Sequence, residues 1–298
     1  MWEKQLQAIQ EGDRKTLARV ISLVENQGEG TAALLQSLPV SNTPVIGITG
    51  PPGAGKSTLV DALIDQWVTQ GKKVAVLCVD PSSPFHQGAL LGDRIRMSDW
   101  YTHANVYIRS LASRGSMGGL HPRIIEICDV LKQADFDWIL LETVGVGQSE
   151  VEIAGLADVT AVVLVPEAGD EVQTMKAGLM EIADLFIVNK SDRPDATLFV
   201  KNLKAMLAPG LSHRSTEIPV LQTIAAKKEG IKEVQELLIK LCEQENSPAK
   251  KAHLLAEKAY QLIEAKRMQD IHKEKLRNQI EEELQKGDFN LYRFAAKH

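Results

Sequence analysis

Eight residues, Gly50-Pro51-Pro52-Gly53-Ala54-Gly55-Lys56-Ser57, restrict what this chain can fold into more than any other segment. They match the pattern G-x-x-x-x-G-K-S/T in full, directly after the apolar, β-branched run Val45-Ile46-Gly47-Ile48 and before the helix-like Thr58-Leu59-Val60-Asp61-Ala62-Leu63-Ile64. Glycines let such a loop curl until its N–H groups, together with the helix N-terminus, point at a phosphate chain. In that arrangement Lys56 adds positive charge at the β and γ oxygens, and the Ser57 hydroxyl ligates Mg²⁺. Residues 50–58, Thr58 included, are therefore expected to hold the phosphates of a nucleotide.

The segments that follow alternate between strand-like and helix-like character. Val74–Val79, Trp138–Leu141, Ala161–Val165 and Leu185–Val188 are short apolar runs that stop at polar or Gly/Pro punctuation, and a last strand lies near Val220. Continuous apolar runs fit parallel strands buried on both faces, and alternation with helices predicts an α/β fold with a doubly wound, mostly parallel sheet. Ligands in such sheets bind beyond the carboxyl ends of the strands, where Gly50, Asp80, Glu142 and Asn189 all fall.

Helical segments flank this core. Leu6, Ile9, Leu17, Val20, Ile21 and Val24 recur at helical spacing, with Gly12-Asp13 ending one helix and capping the next. Beyond Ser247-Pro248 the chain is charged and strand-free, and Leu255, Leu262, Leu276, Ile280 and Leu284 form an apolar stripe closed by Gly287. That stripe either packs back on the core or supplies a dimer surface. The expected organisation is a helical extension over residues 1–42, a nucleotide-binding domain over 43–246 and a helical dimerisation arm over 247–298.

Charge and composition narrow the partners. The 298 residues carry 34 Lys+Arg against 39 Asp+Glu, a formal charge of −5, with no long basic run suited to nucleic acid or an anionic membrane. Met1-Trp2-Glu3-Lys4-Gln5 lacks a signal-peptide pattern, and no apolar run reaches the roughly 20 residues that span a bilayer, so a cytoplasmic location is expected. Cys78, Cys128 and Cys242 show no metal-ligand spacing and read as reduced, buried thiols.

Further carboxylates gather around the phosphate loop. Asp80 ends the second strand, placed either to hold Mg²⁺ or its water or to orient the attacking water. Gly92-Asp93-Arg94-Ile95-Arg96 adds a second carboxylate and two guanidinium groups that can meet phosphate charge. Glu142-Thr143-Val144-Gly145 follows a strand where nucleotide hydrolases carry an acid that reaches Mg²⁺ through water. Gly145 is suited to give an N–H to the γ-phosphate and to act as a hinge, with Gln148 a weaker candidate for positioning water.

Asn189-Lys190-Ser191-Asp192 fits N-K-x-D behind a strand. A carboxylate at Asp192 accepts hydrogen bonds from guanine N1–H and the exocyclic amine, whereas adenine would leave it unpaired. Asn189 is expected to tie the loop together, and the Lys190 stem to lie over the base. In Ile224-Ala225-Ala226 a backbone N–H near Ala225 is expected to meet guanine O6. GTP or GDP with Mg²⁺ is the ligand this set implies.

In order, Gly50–Thr58, Asp80-Pro81-Ser82-Ser83, Leu91-Gly92-Asp93-Arg94-Ile95-Arg96-Met97, Glu142-Thr143-Val144-Gly145-Val146-Gly147-Gln148 and Asn189–Asp192 closely resemble the methylmalonyl-CoA mutase-associated GTPases of the MeaB/ArgK type. That family also has glutamate in its third motif, as at Glu142. The resemblance implies a homodimeric GTPase that acts as chaperone of an adenosylcobalamin-dependent acyl-CoA mutase, gating cofactor delivery and protecting or reactivating the enzyme. It further implies Ser57, Asp80, Asp93 and Glu142 on the Mg²⁺ side, Lys56 on the phosphates and Asp192 on guanine. The chain departs from the family in carrying Ile224-Ala225 where Ser-Ala is common, and in lacking a tryptophan-containing C-terminal arm. Two other classes share the sheet and loop: a nickel or cobalt insertion GTPase, which would display His- or Cys-rich segments, and an ATP-dependent small-molecule kinase, which Asp192 argues against.

Overall fold

The computed structural model describes residues 2–80, 97–112, 120–143, 149–168, 177–207, 217–244, 248–287 and 289–298. Seven strands form one parallel sheet: β1 (Val45–Thr49), β2 (Val74–Asp80), β3 (Val106–Ala112), β4 (Trp138–Thr143), β5 (Val159–Leu164), β6 (Leu185–Val188) and β7 (Val220–Gln222). Their spatial order is β3-β2-β4-β1-β5-β6-β7, so β1 lies at the centre, between β4 and β5. Helices among the described residues are α1 (Trp2–Gln10), α2 (Arg14–Glu25), α3 (Thr31–Gln36), α4 (Lys56–Val68), α5 (Ile124–Leu131), α6 (Ser149–Glu152), α7 (Ala177–Ile182), α8 (Ala196–Met206), α9 (Ile231–Gln244), α10 (Pro248–Arg267), α11 (Lys273–Gln285) and α12 (Leu291–Ala295). None of the described helices is long and apolar enough to cross a membrane.

Both faces of the sheet are covered, which is why the strands read as unbroken apolar runs. On one face Ala75, Leu77, Val79, Ile139 and Leu141 pack with residues of α1, α2, α3 and α5. On the other, Val74, Val76, Cys78 and Leu140 join Leu59, Leu63 and Trp67 of α4 and Val234 and Leu238 of α9. Val162 and Leu164 of β5, with Phe186 and Val188 of β6, meet Leu179, Phe199 and Leu203 of α7 and α8. The alternation along each strand thus selects which helix layer each side chain enters.

The strand β3, Val106–Ala112, escapes the apolar-run criterion. It lies at the edge of the sheet, and its middle residues are only half-buried. Arg109 sits in it because its guanidinium reaches Glu25 Oε2 at 2.6 Å and Ser22 Oγ at 3.2 Å on α2. An edge strand needs only one apolar face, so a charged residue with a partner is tolerated there. Two strand ends also differ from the apolar runs: β4 continues through Glu142 to Thr143, and β5 starts at Val159 and stops at Leu164.

The chain divides into two compact units, Met1–Lys251 and Ala252–His298. The N-terminal helices belong to the first: Leu6, Ile9, Leu17, Val20, Ile21 and Val24 are all buried in the sheet's core. Gly12 takes a φ of +91°, and Asp13 caps α2 by accepting from the N–H groups of Lys15 and Thr16 at 2.9 and 3.1 Å. Because Leu17 is 1% exposed, Leu17→Ala should lower the unfolding free energy by about 2–5 kcal/mol. A urea melt with an unchanged midpoint would contradict this placement of α2 in the core. In the second unit α11 stops before Gly287, whose φ is +80°, and Phe294 is buried against Phe289 and His298.

Candidate functional site

The centre of the sheet delivers the phosphate loop. After Thr49 the chain turns at Gly50, φ +134°, where a Cβ would lie 2.1 Å from the Val163 carbonyl oxygen; no side chain fits. At Gly55, φ +89°, a Cβ would fall 2.4 Å from Asn189 Nδ2, so this glycine allows the base-side loop to approach. The helix α4 starts at Lys56 with no side-chain cap, so its N-terminus, the end at which a helix leaves N–H groups unsatisfied and favours an anion, directly follows the loop formed by Pro51, Pro52, Gly53 and Ala54. Lys56 is 6% exposed, and its ammonium donates to the carbonyl oxygens of Gly50 and Pro51 at 2.8 and 3.0 Å. The charge is thereby fixed above the loop rather than in solvent.

Next to it, the Ser57 hydroxyl donates to Glu142 Oε1 at 2.6 Å. Glu142 is 4% exposed and lies in β4, beside Ile48 of β1 and Cys78 of β2 in register. A buried carboxylate is costly without a compensating charge. Together with a serine hydroxyl it makes a hard-oxygen donor pair, the chemistry that suits Mg²⁺ better than a soft metal. The hydroxyl of Thr143 donates to that of Thr49 at 2.9 Å, which joins the ends of β4 and β1 directly behind the loop. Asp80 is the last residue of β2, at the same edge of the sheet. Asp93, Arg94, Arg96, Gly145 and Gln148 lie outside the described residues.

On the other side Asn189 links three segments. Its Nδ2 donates to the Ala54 carbonyl at 2.9 Å, while its Oδ1 accepts from Thr223 Oγ1 at 3.1 Å and from the Ala225 N–H at 3.0 Å. Buried at 2% exposure, it locks the N-K-x-D loop to the phosphate loop and to the segment after β7. Lys190, at φ +57°, donates from Nζ to the Gly53 carbonyl at 2.8 Å, so its stem spans the gap between the two loops. Thr58 follows Ser57 inside the first turn of α4.

The Ala225 N–H, expected to meet guanine O6, is occupied by Asn189, whereas the N–H of Ala226 has no partner among the described residues. Ile224 bridges Glu229 through its backbone. Asp192 stays accessible, its side chain 43% exposed, and its carboxylate lies 3.4 Å from the Lys227 ammonium. Lys227 was not among the residues singled out from sequence; its only signal there is its place directly after Ala225-Ala226.

Comparison with known proteins places the chain. The family model described as methylmalonyl-CoA mutase-associated GTPase MeaB matches residues 17–284. A protein of Pyrococcus abyssi named as a GTPase is 47% identical over 242 residues, 78% of this chain and 74% of that one. The methylmalonic aciduria type A homolog, mitochondrial, of Mus musculus is 36% identical over 244 residues, 75% of this chain and 59% of its own length. Among solved structures, one described as LAO/AO transport system kinase superposes with a TM-score of 0.69 at 25% identity, covering 99% of this chain and 95% of that one.

Proposed function

This chain belongs to the methylmalonyl-CoA mutase-associated GTPase family and is a GTPase; from that premise we propose that it serves as a nucleotide-gated chaperone of an adenosylcobalamin-dependent acyl-CoA mutase. GTP hydrolysis would set when the partner enzyme is loaded, protected or reactivated. The family description supports the mutase as the class of partner.

The observation that carries the nucleotide chemistry is the Asn189 bridge, which holds the phosphate loop and the N-K-x-D loop in one rigid unit. Within that unit Lys56 and the backbone N–H groups of residues 53–58 bind the phosphates, with Gly50, Pro51 and Pro52 shaping the loop. Asp192 accepts from guanine N1–H and the exocyclic amine, the Ala226 N–H meets O6, and Lys190 and Lys227 flank the base. Ser57, Asp80, Asp93 and Glu142 hold Mg²⁺, which when bound neutralises charge on the β and γ oxygens. Gly145 and the residues around it report the γ-phosphate.

The reading extends to a homodimer built on residues 247–298, beside an extension of 1–42 and a GTPase domain of 43–246. In the single chain Leu255 and Leu284 are each 56% exposed and Tyr292 84%, apolar surface that a second copy would cover. Size-exclusion chromatography with a purified methylmalonyl-CoA mutase tests the partner: a shared peak with a nonhydrolysable GTP analogue that weakens with GDP is expected. Separate elution in both nucleotide states would refute the chaperone reading.

A further inference from the structure

We propose that Cys78 is a positioning residue for the magnesium-side carboxylate: its thiol holds Glu142 in the orientation the metal needs. The inference rests on the reading of Glu142 as a magnesium-side residue. The geometry begins with strand register. Cys78 of β2 and Glu142 of β4 are direct partners in the parallel ladder, so their side chains stand side by side on one face. The Cys78 side chain shares its cluster with Val74 and Val76 of the same strand and with Leu59 and Leu63 of α4. Next to the carboxylate, this face of β2 therefore presents sulfur where the preceding positions present hydrocarbon.

Cys78 is 3% exposed, and its Sγ lies 4.0 Å from Glu142 Oε2, with the thiol as donor. The two carboxylate oxygens are thus addressed from different sides, Oε1 by Ser57 on the phosphate-loop helix and Oε2 by Cys78 on the neighbouring strand. When the Ser57 hydroxyl turns to a metal ion, the Cys78 contact is the one of these two that can persist. It limits rotation of the carboxylate at the moment the first contact is given up. A thiol is a weak donor, so the effect is modest in size; its place in a buried site, where water does not compete, makes it count. Groups that orient metal ligands from behind commonly tune metal affinity.

The test follows the affinity of a fluorescent GDP analogue as Mg²⁺ is titrated, with a parallel measurement in EDTA. In Cys78→Ala the Mg²⁺ concentration for half-maximal tightening should rise about three- to tenfold, while affinity in EDTA stays at the wild-type value. Cys78→Ser keeps a donor and should fall within about twofold of wild type. Glu142→Gln should remove most of the Mg²⁺ dependence. A wild-type Mg²⁺ curve for Cys78→Ala alongside a shifted Glu142→Gln curve overturns the Cys78 role alone. Equal shifts for the alanine and serine variants overturn it too, since they point to packing. If Glu142→Gln leaves the curve unchanged, the magnesium-side reading of Glu142 falls, and the Cys78 role with it.

Discussion

Lys56→Ala is expected to reduce GTP hydrolysis by at least about 10²- to 10³-fold, the scale seen when one preorganised charge or donor is removed from a reacting phosphate or oxyanion. The reasoning is local. Lys56 is buried at 6% exposure, and two carbonyl oxygens of its own loop hold its ammonium in place. The charge is thus positioned before any nucleotide arrives, and no reorganisation is needed as negative charge spreads over the transferred phosphoryl group. Lys56→Arg should fail as well, because a planar fork cannot reproduce a compact ammonium held between the carbonyls of Gly50 and Pro51. Phosphate release measured at saturating GTP decides the matter, with a thermal melt to show that both variants fold. Hydrolysis at the wild-type rate in folded Lys56→Ala protein would refute the site.

The second large effect concerns the base. Asp192→Asn should weaken GTP binding by roughly 10²- to 10³-fold, since two hydrogen bonds to a charged acceptor are replaced by a neutral amide that presents a donor to a donor. The same variant should gain xanthosine triphosphate, whose C2 carbonyl can accept from the new amide. Asp192 is well placed for such a test because its carboxylate is 43% exposed and its loop is anchored independently by Asn189. The exchange should therefore change selectivity with little effect on stability. Competition between guanine, xanthine and adenine nucleotides reads it out, and an undiminished preference for GTP would remove the base-reading assignment. Turnover of ATP by the wild-type chain with phosphate passed to a solute would instead favour the kinase alternative.

Which parts of this site could be read in advance depended on how local their causes are. The phosphate loop was legible because its glycines, lysine and serine are contiguous, and because the positive φ at Gly50 and Gly55 is a property of residue type. The central strands were legible because burial on both faces forces unbroken apolar runs, as Val159–Leu164 and Leu185–Val188 show. The edge strand β3 was not, since a half-exposed strand with a paired Arg109 carries no such run. Which N–H after β7 is already taken also exceeded sequence: that the Ala225 N–H donates to Asn189 Oδ1 depends on how two segments 36 residues apart meet.

Sequence by itself therefore determined the kind of residue at each station: a glycine-rich phosphate loop, acids at strand ends, the N-K-x-D run ending at Asp192, and helices with apolar stripes at both ends. Each follows from the type and order of neighbouring residues. Only the tertiary structure decided how the stations meet. Glu142 touches Ser57 across 85 residues and Cys78 across 64, and Asn189 reaches Ala54 across 135. The Glu142 contacts come from the strand order β2-β4-β1 and the Asn189 contact from β1-β5-β6; within the first, a one-residue slip would turn Glu142 to the opposite face of the sheet and away from the phosphate loop.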